Sequence, residues 1–357
     1  MPKSVDVILD KSVDGRRLEE NEIQFLFDNG GLLELGQAAD AVRRRKNPTD
    51  TVTFIIDRNI NYTNVCIYRC RFCAFYRTVR DTDAYVLPFE EIASKVAETV
   101  VCGGTGILLQ GGVHPDLRIS YYESLLSNLK RTFPQIHLHA FSVPEIWFLA
   151  KLEKLPVRAV LERLTAAGLD SIPGGGAEIL DDVTRRRIWS RAKASTDQWL
   201  DVHREAHDFG LRTTATMMFG VGEPMSARVA HLTAVRRLQD SSGGFTAFIP
   251  WTFQDSGTDL EDEVEASGGY DYLRTVAISR LGLDNFDHVQ GSWVTQGPKV
   301  GQVSLFFGAD DLGSIMLEEN VVAAAGAQYR MSQSEMEHVI RGAGYTPRQR
   351  RTLYEPL

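Results

Sequence analysis

A closed barrel of alternating β-strands and α-helices is the fold this 357-residue chain predicts. Three observations carry it. Strand-like and helix-like segments alternate eight times between residues 52 and 308, and such alternation means parallel strands joined by helical crossovers. Eight units is the count of a (βα)8, TIM-type barrel. The glycine-, proline- and tryptophan-bearing sequences QGG, SIPGGGAE, FGVGEP, PWTFQ and QGSW all follow strand candidates, on the rim where such barrels carry chemistry.

The elements run in order as follows. Residues 17 to 46 read as N-terminal helices: LEENEIQFLF has early acids and apolar residues at helical spacing, and Asn29-Gly30-Gly31 breaks it. LLELGQAADAVRRRK starts a second helix that ends near Asn47-Pro48. The strand candidates are VTFIIDR (52–58), GILLQGG (106–112), IHLHAFS (136–142), GLDSIPG (168–174), TTATMMFG (213–220), FTAFIPW (245–251), NFDHVQGS (285–292) and QVSLFFG (302–308). Between them lie helical patterns such as PFEEIASKVAETV, SYYESLLSNLKRTF, DQWLDVHREAHDFG and MSARVAHLTAVRRLQD. The fourth and seventh strands are short and polar, so a six-unit open barrel is the alternative. After about residue 309 the chain reads as a helical C-terminal extension, in LGSIMLEENVVAAAG and SQSEMEHVIRGAG. The expected division is a helical segment 1–50, the barrel 51–310 and the extension 311–357.

Net charge of −8 and a pI near 5.6 argue against a general nucleic-acid footprint, which needs a basic surface. No apolar run reaches membrane-span length, and MPKSVDVILDKSVDGRR lacks an apolar signal core. The expectation is a cytoplasmic protein with no membrane or nucleic-acid partner, a setting that suits free thiols.

Cys66, Cys70 and Cys73 stand in NVCIYRCRFCAFYR with C-x3-C-x2-C spacing. Thiolates this close can hold an iron–sulfur cluster, and a cubane normally takes four. Three leave one iron open to a ligand. The competing reading, a structural zinc site, wants a second cysteine pair, and only Cys102 remains. Cys102 precedes the second strand and so belongs to the opposite rim. Gln110-Gly111-Gly112 lets a ligand approach the backbone, or is simply a tight turn. Gly174-Gly175-Gly176-Ala177-Glu178 frees backbone N–H groups; Glu178 can bind a ribose, bind substrate or act as a base, or complement a helix dipole. His137 and His139 point the same way from one strand, and His139, nearer the catalytic rim, is a candidate ligand or proton acceptor. His203 and His207 read as a solvated helix face. Trp251, Phe253, Gln254 and Trp293 suit an aromatic, sugar-bearing substrate with Gln254 as polar anchor, or cap the barrel.

With Phe72 before the third cysteine, the run reads C-x3-C-x-aromatic-C, and here the chain resembles the radical S-adenosylmethionine (SAM) enzymes. The resemblance implies a barrel of the radical SAM kind. It also implies a [4Fe-4S] cluster on Cys66, Cys70 and Cys73, and SAM chelated by the open iron. One-electron cleavage of SAM then gives methionine and a 5′-deoxyadenosyl radical. Implied SAM contacts are Phe72, Gln110, Gly111, Gly112, Gly220 and Glu223, although FGVGEP departs from the FGHVET-like pattern of some relatives.

NYTNVCIYRCRFCAFYR, QGGVHPDL, HLHAFSVPEI, GLDSIPGGGAEIL, GGFTAFIPWTFQ and GADDLGSIMLEENVVAAAG resemble one branch of that family. This branch serves futalosine-dependent menaquinone biosynthesis and deazaflavin (FO) synthesis. The likeness is greatest to members that cyclise dehypoxanthine futalosine. Such a reaction removes hydrogen from ribose C4′, adds the carbon radical to the benzoate ring, and loses an electron and a proton. Glu178 and His139 are the implied proton acceptors. Ser171, Gly175, Trp251, Gln254 and Trp293 are the implied substrate contacts, and a reducing protein such as flavodoxin or ferredoxin the implied partner. The siblings are aminofutalosine synthase and the tyrosine-using FO synthase subunit. The reading from another class is a non-catalytic iron–sulfur electron carrier.

Overall fold

The structure, a computed structural model, describes residues 4–189, 193–327 and 329–357. Its strands are β1 (Thr51–Ile55), β2 (Asp57–Ile60), β3 (Gly106–Leu109), β4 (His137–Ala140), β5 (Ser171–Ile172), β6 (Arg212–Phe219), β7 (Phe245–Thr252), β8 (His288–Val289), β9 (Asp311–Ser314) and β10 (Thr346–Gln349). Strands β2 to β8 form one sheet in sequential order, every pair parallel. A second sheet has the order β10-β1-β9.

The two sheets are one ring. β1 runs through Ile56 straight into β2, β9 pairs with β1, and a bridge from Gln290 to Asp311 joins the end of β8 to β9. The fold is thus an α/β barrel of parallel strands, with helices between successive strands. Alternate strand residues pack outward with the helices into one apolar core, among them Ile60, Leu109, Leu138, Ile172, Ala215 and Phe248.

Helices Glu20–Asn29 and Leu32–Lys46 form as their patterns require, and an additional helix, Val5–Val13, starts at a Ser4 cap. They pack against the helices Met225–Ser242 and Gly269–Gly282 on the outside of the barrel.

Three expectations need correction. QVSLFFG is not the eighth strand. Pro298 opens a helix, Pro298–Ser304, at the position where its missing N–H costs nothing, and Leu305 and Phe307 reach the core from the turn that follows. The eighth strand is β9, inside the stretch LGSIMLEENVVAAAG read as helical. Gly313 at φ +67° and Gly326 at φ +90° do not fit a helix, and only Ala323–Ala325 makes a 3-10 turn there. Asp311 instead ties β9 to β10 through Arg350. Finally, His203 and His207 face inward: His203 is fully buried against Trp199, and His207 is bonded to Ser242 and Thr213. The buried face of that helix is Trp199, Val202, His203 and Ala206, an amphipathic phase that a charge-rich sequence hides.

Candidate functional site

The cysteine loop leaves β2 at the C-terminal rim and is pinned on several sides. Cys66 N–H donates to the Arg77 carbonyl at 2.9 Å, Ile67 N–H to Val113 at 3.0 Å, and Arg71 N–H to Ile188 at 3.1 Å. Gly112 explains how closely β3 supports the loop: a Cβ there would lie 2.2 Å from the Val65 carbonyl oxygen. Gly111 likewise has no room beside the Tyr62 ring, and its N–H donates to Glu145. Glu145 is the joint of this support. Its carboxylate also accepts from the Tyr62 hydroxyl at 2.6 Å and from Ser142 N–H at 2.6 Å. Burial pushes its carboxyl up to about 7.

The three thiols share one satellite apolar cluster with Phe72, Tyr68, Val113, Trp189, Met218 and Trp251. They are free cysteines, with Cys70 buried. Burial pushes the Cys70 thiol up to about 12 and raises Cys73 as well. Such thiols ionise only against a compensating cation, which bound iron supplies. Among the described residues, no three His, Cys, Asp or Glu side chains converge on a single metal ion. A cubane does not ask for that, because each thiolate takes a different iron. The donor set fits a three-thiolate cluster.

One cation does reach this place. Lys193 Nζ lies 3.5 Å from Cys70 Sγ and 3.1 Å from Glu178 Oε1. It sits 4.4 Å above the Trp189 ring and 5.1 Å above Phe72. Burial opposes its charge, yet Cys70 and Glu178 together hold the ammonium above its ordinary range. Glu178 itself has φ +41°, a strained value for a side-chain-bearing residue. It is 7% exposed, and its Oε2 has no hydrogen-bond partner. An unsatisfied buried carboxylate oxygen beside a cavity is a group waiting for a ligand.

That cavity, about 300 Å³, runs down the barrel axis. Gln110, Gly175, Trp251, Trp293, Glu178 and His139 line it, as the sequence reading expects. Trp293 is anchored by its indole N–H on the Ser314 carbonyl at 3.1 Å. Burial and the neighbouring His137 and Arg350 push His139 down to about 3, so its imidazole is neutral at ordinary pH.

Three expected contacts are used otherwise. Ser171 is 0% exposed and outside the cavity lining; its hydroxyl lies between His137 and His139. Gln254 turns its amide back onto Thr252 and Phe253 and does not line the cavity. Glu223 accepts from Gly220 N–H, Val221 N–H and Arg228, so its carboxylate shapes its own turn. Cys102 is exposed on the opposite rim, at the end of the helix Phe89–Val101. Sequence reasoning missed Lys193, and also Asp57, Asn59, Glu319 and Arg350, which complete the lining. Glu319 and Arg350 stand in the stretch read as a helical C-terminal extension, and Lys193 stands in RAKAST, which has no motif to mark it.

Comparison with known proteins places this geometry. Residues 60–235 match the radical SAM superfamily, and residues 242–357 match the CofH/MqnC C-terminal region. The cyclic dehypoxanthine futalosine synthase of Streptomyces coelicolor is 46% identical, over 98% of this chain and 88% of its own. That of Halalkalibacterium halodurans is also 46% identical, over 99% and 95%. The aminodeoxyfutalosine synthase of Thermus thermophilus is 39% identical over 98% and 95%. Among solved structures, methylornithine synthase (PylB) superposes with a TM-score of 0.72 at 20% identity, covering 95% of this chain and 97% of that one. The hydrogenase maturase HydG gives 0.78 at 15%, covering 97% and 77%. These two share the fold. The chain belongs to the radical SAM superfamily, in the branch that carries the CofH/MqnC C-terminal region.

Proposed function

We propose that this chain is a radical SAM cyclase that converts dehypoxanthine futalosine to its cyclic product in menaquinone biosynthesis. The observation that carries this is the 46% identity, end to end, to two relatives named as that synthase, against 39% to the aminodeoxyfutalosine synthase. The [4Fe-4S] cluster and SAM of the superfamily supply one-electron cleavage of SAM and a hydrogen-abstracting carbon radical.

The chain's own residues do the rest. Cys66, Cys70 and Cys73 hold the cluster, and Lys193 sets a positive charge beside Cys70. The cavity is at the small end of ligand pockets, which run from about 300 to 1,000 Å³. Its walls combine Ile55, Leu108, Ile249 and Leu312 with Trp251 and Trp293, a lining suited to a benzoate ring. Asn59, Gln110, Thr214 and Thr216 offer hydrogen bonds to sugar hydroxyls. Enclosure keeps water from the reacting carbon centres and holds ribose and ring in contact. Cyclisation removes two hydrogens from the substrate: one leaves with the adenosyl group, the other as a proton with an electron. In this reading Glu178 Oε2 and His139 Nε2 are the proton acceptors.

The partner that delivers the first electron is, in this reading, a small reducing protein of the flavodoxin or ferredoxin kind. No helix among the described residues is long and apolar enough to cross a membrane, and a cytoplasmic location would keep the three thiols reduced.

An anaerobic assay of reconstituted protein with dithionite, SAM and dehypoxanthine futalosine tests the proposal. Free 5′-deoxyadenosine and a product two hydrogens lighter than substrate support it. Dehypoxanthine futalosine left unchanged, with an enolpyruvyl benzoate taking up the adenosyl group when offered instead, would move the chain to the aminodeoxyfutalosine reaction.

A further inference from the structure

Two cavities reach β4 from opposite ends. His139 lines the central one. His137, two residues earlier, lines a second cavity of about 220 Å³ with Thr105, Lys130, Asp170, Arg351 and Glu355. This second cavity lies where strands begin: Thr105 just precedes β3, His137 opens β4 and Asp170 just precedes β5. Gln135, Arg351 and Glu355 are exposed around it, so it opens to solvent on the rim opposite the cysteine loop.

Alternation along β4 puts the two imidazoles on one face, and β5 brings Ser171 beside them as the register partner of His139. The Ser171 hydroxyl stands 2.6 Å from His139 Nδ1 and 2.6 Å from His137 Nε2. A hydroxyl both donates and accepts. It can therefore join two neutral imidazoles into one chain; with His139 as its Nδ1–H tautomer, this runs from His139 Nδ1–H through Ser171 Oγ–H to His137 Nε2.

We infer that His139, Ser171 and His137 form a proton relay from the central cavity to solvent at the far rim. The inference rests on the proposed cyclisation for the source of its proton. That proton binds His139 Nε2. The Nδ1–H bond of His139 breaks as Ser171 Oγ takes its proton, the original Oγ–H bond breaks as His137 Nε2 takes that one, and His137 releases its Nδ1 proton to water. One proton crosses and no electron moves through the relay. The matching electron goes to a one-electron acceptor of the iron–sulfur class. When product leaves and water fills the cavity, exchange at both ends restores the starting tautomers.

The surrounding charges give the relay a direction. Burial first, then His137 and Arg350, disfavour charge on His139, so a positive charge does not rest there. Burial lowers His137 too, but there Asp170 and Glu355 act against it, with Lys130, paired to Asp170 at 2.5 Å, on the other side. His139 passes a proton on, and the outer end receives it.

Two measurements test the relay. In ligand-free protein labelled with 15N-histidine, NMR should show His139 as the Nδ1–H tautomer and His137 with a bare Nε2, and Ser171→Ala should change both rings together. Unchanged tautomers in Ser171→Ala would overturn the relay. In the anaerobic assay, Ser171→Ala and His137→Gln should keep forming 5′-deoxyadenosine while cyclic product falls on the order of 10²-fold, the low end of the range for losing a proton-transfer group. The solvent deuterium isotope effect on product formation should change in both variants. Wild-type product per 5′-deoxyadenosine in both variants would also overturn it. If the wild-type protein leaves SAM intact with this substrate, the functional proposal fails, and the NMR result still decides the relay.

Discussion

The two rims of this barrel differ in how the charge nearest the central cavity is treated. At the strand-start end, the buried cations Arg350 and Arg280 are both matched by carboxylates. Arg350 makes a two-point pair with Asp311 at 2.6 and 2.8 Å, and Asp311 also accepts from Thr53 and Gly313. Arg280 pairs with Asp310, which accepts further from His288 and Val289. Tyr354 stacks on His288 and lies under Arg350. At the cysteine end the accounts are open: Glu178 keeps an unpartnered oxygen on a strained backbone, and three thiols sit in an apolar cluster. A satisfied polar network seals and specifies a barrel floor. A local violation of the same rules marks where ligands complete the structure.

The comparison predicts effects of different kinds at the two ends. Replacing any one of Cys66, Cys70 and Cys73 by alanine should abolish 5′-deoxyadenosine formation and the visible absorbance of the cluster. Such variants should remain folded by circular dichroism. Glu178→Gln should lower cyclic product by about 10²–10⁴-fold, the range for a proton-transfer group, and should also cost stability by leaving the Lys193 ammonium buried without its carboxylate. Steady-state rates and urea denaturation on one preparation separate these. At the other end, Arg350→Met should cost about 3–5 kcal/mol by leaving Asp311 buried and unpaired, read as a lower urea midpoint. A loss of activity without that stability loss would break the comparison.

Glu145 supplies a pH signature for the support under the cysteine loop. Burial holds its carboxyl at about 7 in the folded chain, above the ordinary value of 4.5. Between those values the folded state keeps a proton that the unfolded state has lost. This contribution to stability is therefore present below about pH 4.5 and disappears as pH rises through 7, a change of about 3 kcal/mol. Urea midpoints at pH 5 and 8 should show this slope in the wild-type chain and its absence in Glu145→Gln. The smallest effect belongs to Cys102→Ser. Exposed and away from the cluster, it should leave cluster content and activity unchanged and shift stability by less than about 0.5 kcal/mol.

Much of this was legible in the sequence, for physical reasons. The cysteine spacing is local, so three residues and one aromatic announce a ligand loop without any knowledge of the fold. Strands such as Arg212–Phe219 and Phe245–Thr252 are long and apolar enough to read directly. β9 was hidden because its four residues, Asp311–Ser314, earn strand geometry from Arg350 across the sheet rather than from their own propensity. Ser171 was placed on the right strand but assigned to substrate, since only the register with β4 shows its hydroxyl between two histidines. Lys193 has no spacing signal at all. Its position emerges only in the fold, where its Nζ lies beside Cys70 Sγ.

The most direct test of the central claim is the fate of one hydrogen. Dehypoxanthine futalosine carrying deuterium at ribose C4′ should give 5′-deoxyadenosine one mass unit heavier, and a cyclic product without the label. Unlabelled 5′-deoxyadenosine together with a product that retains the deuterium would contradict abstraction at C4′, and with it the assignment of this cavity to the cyclisation.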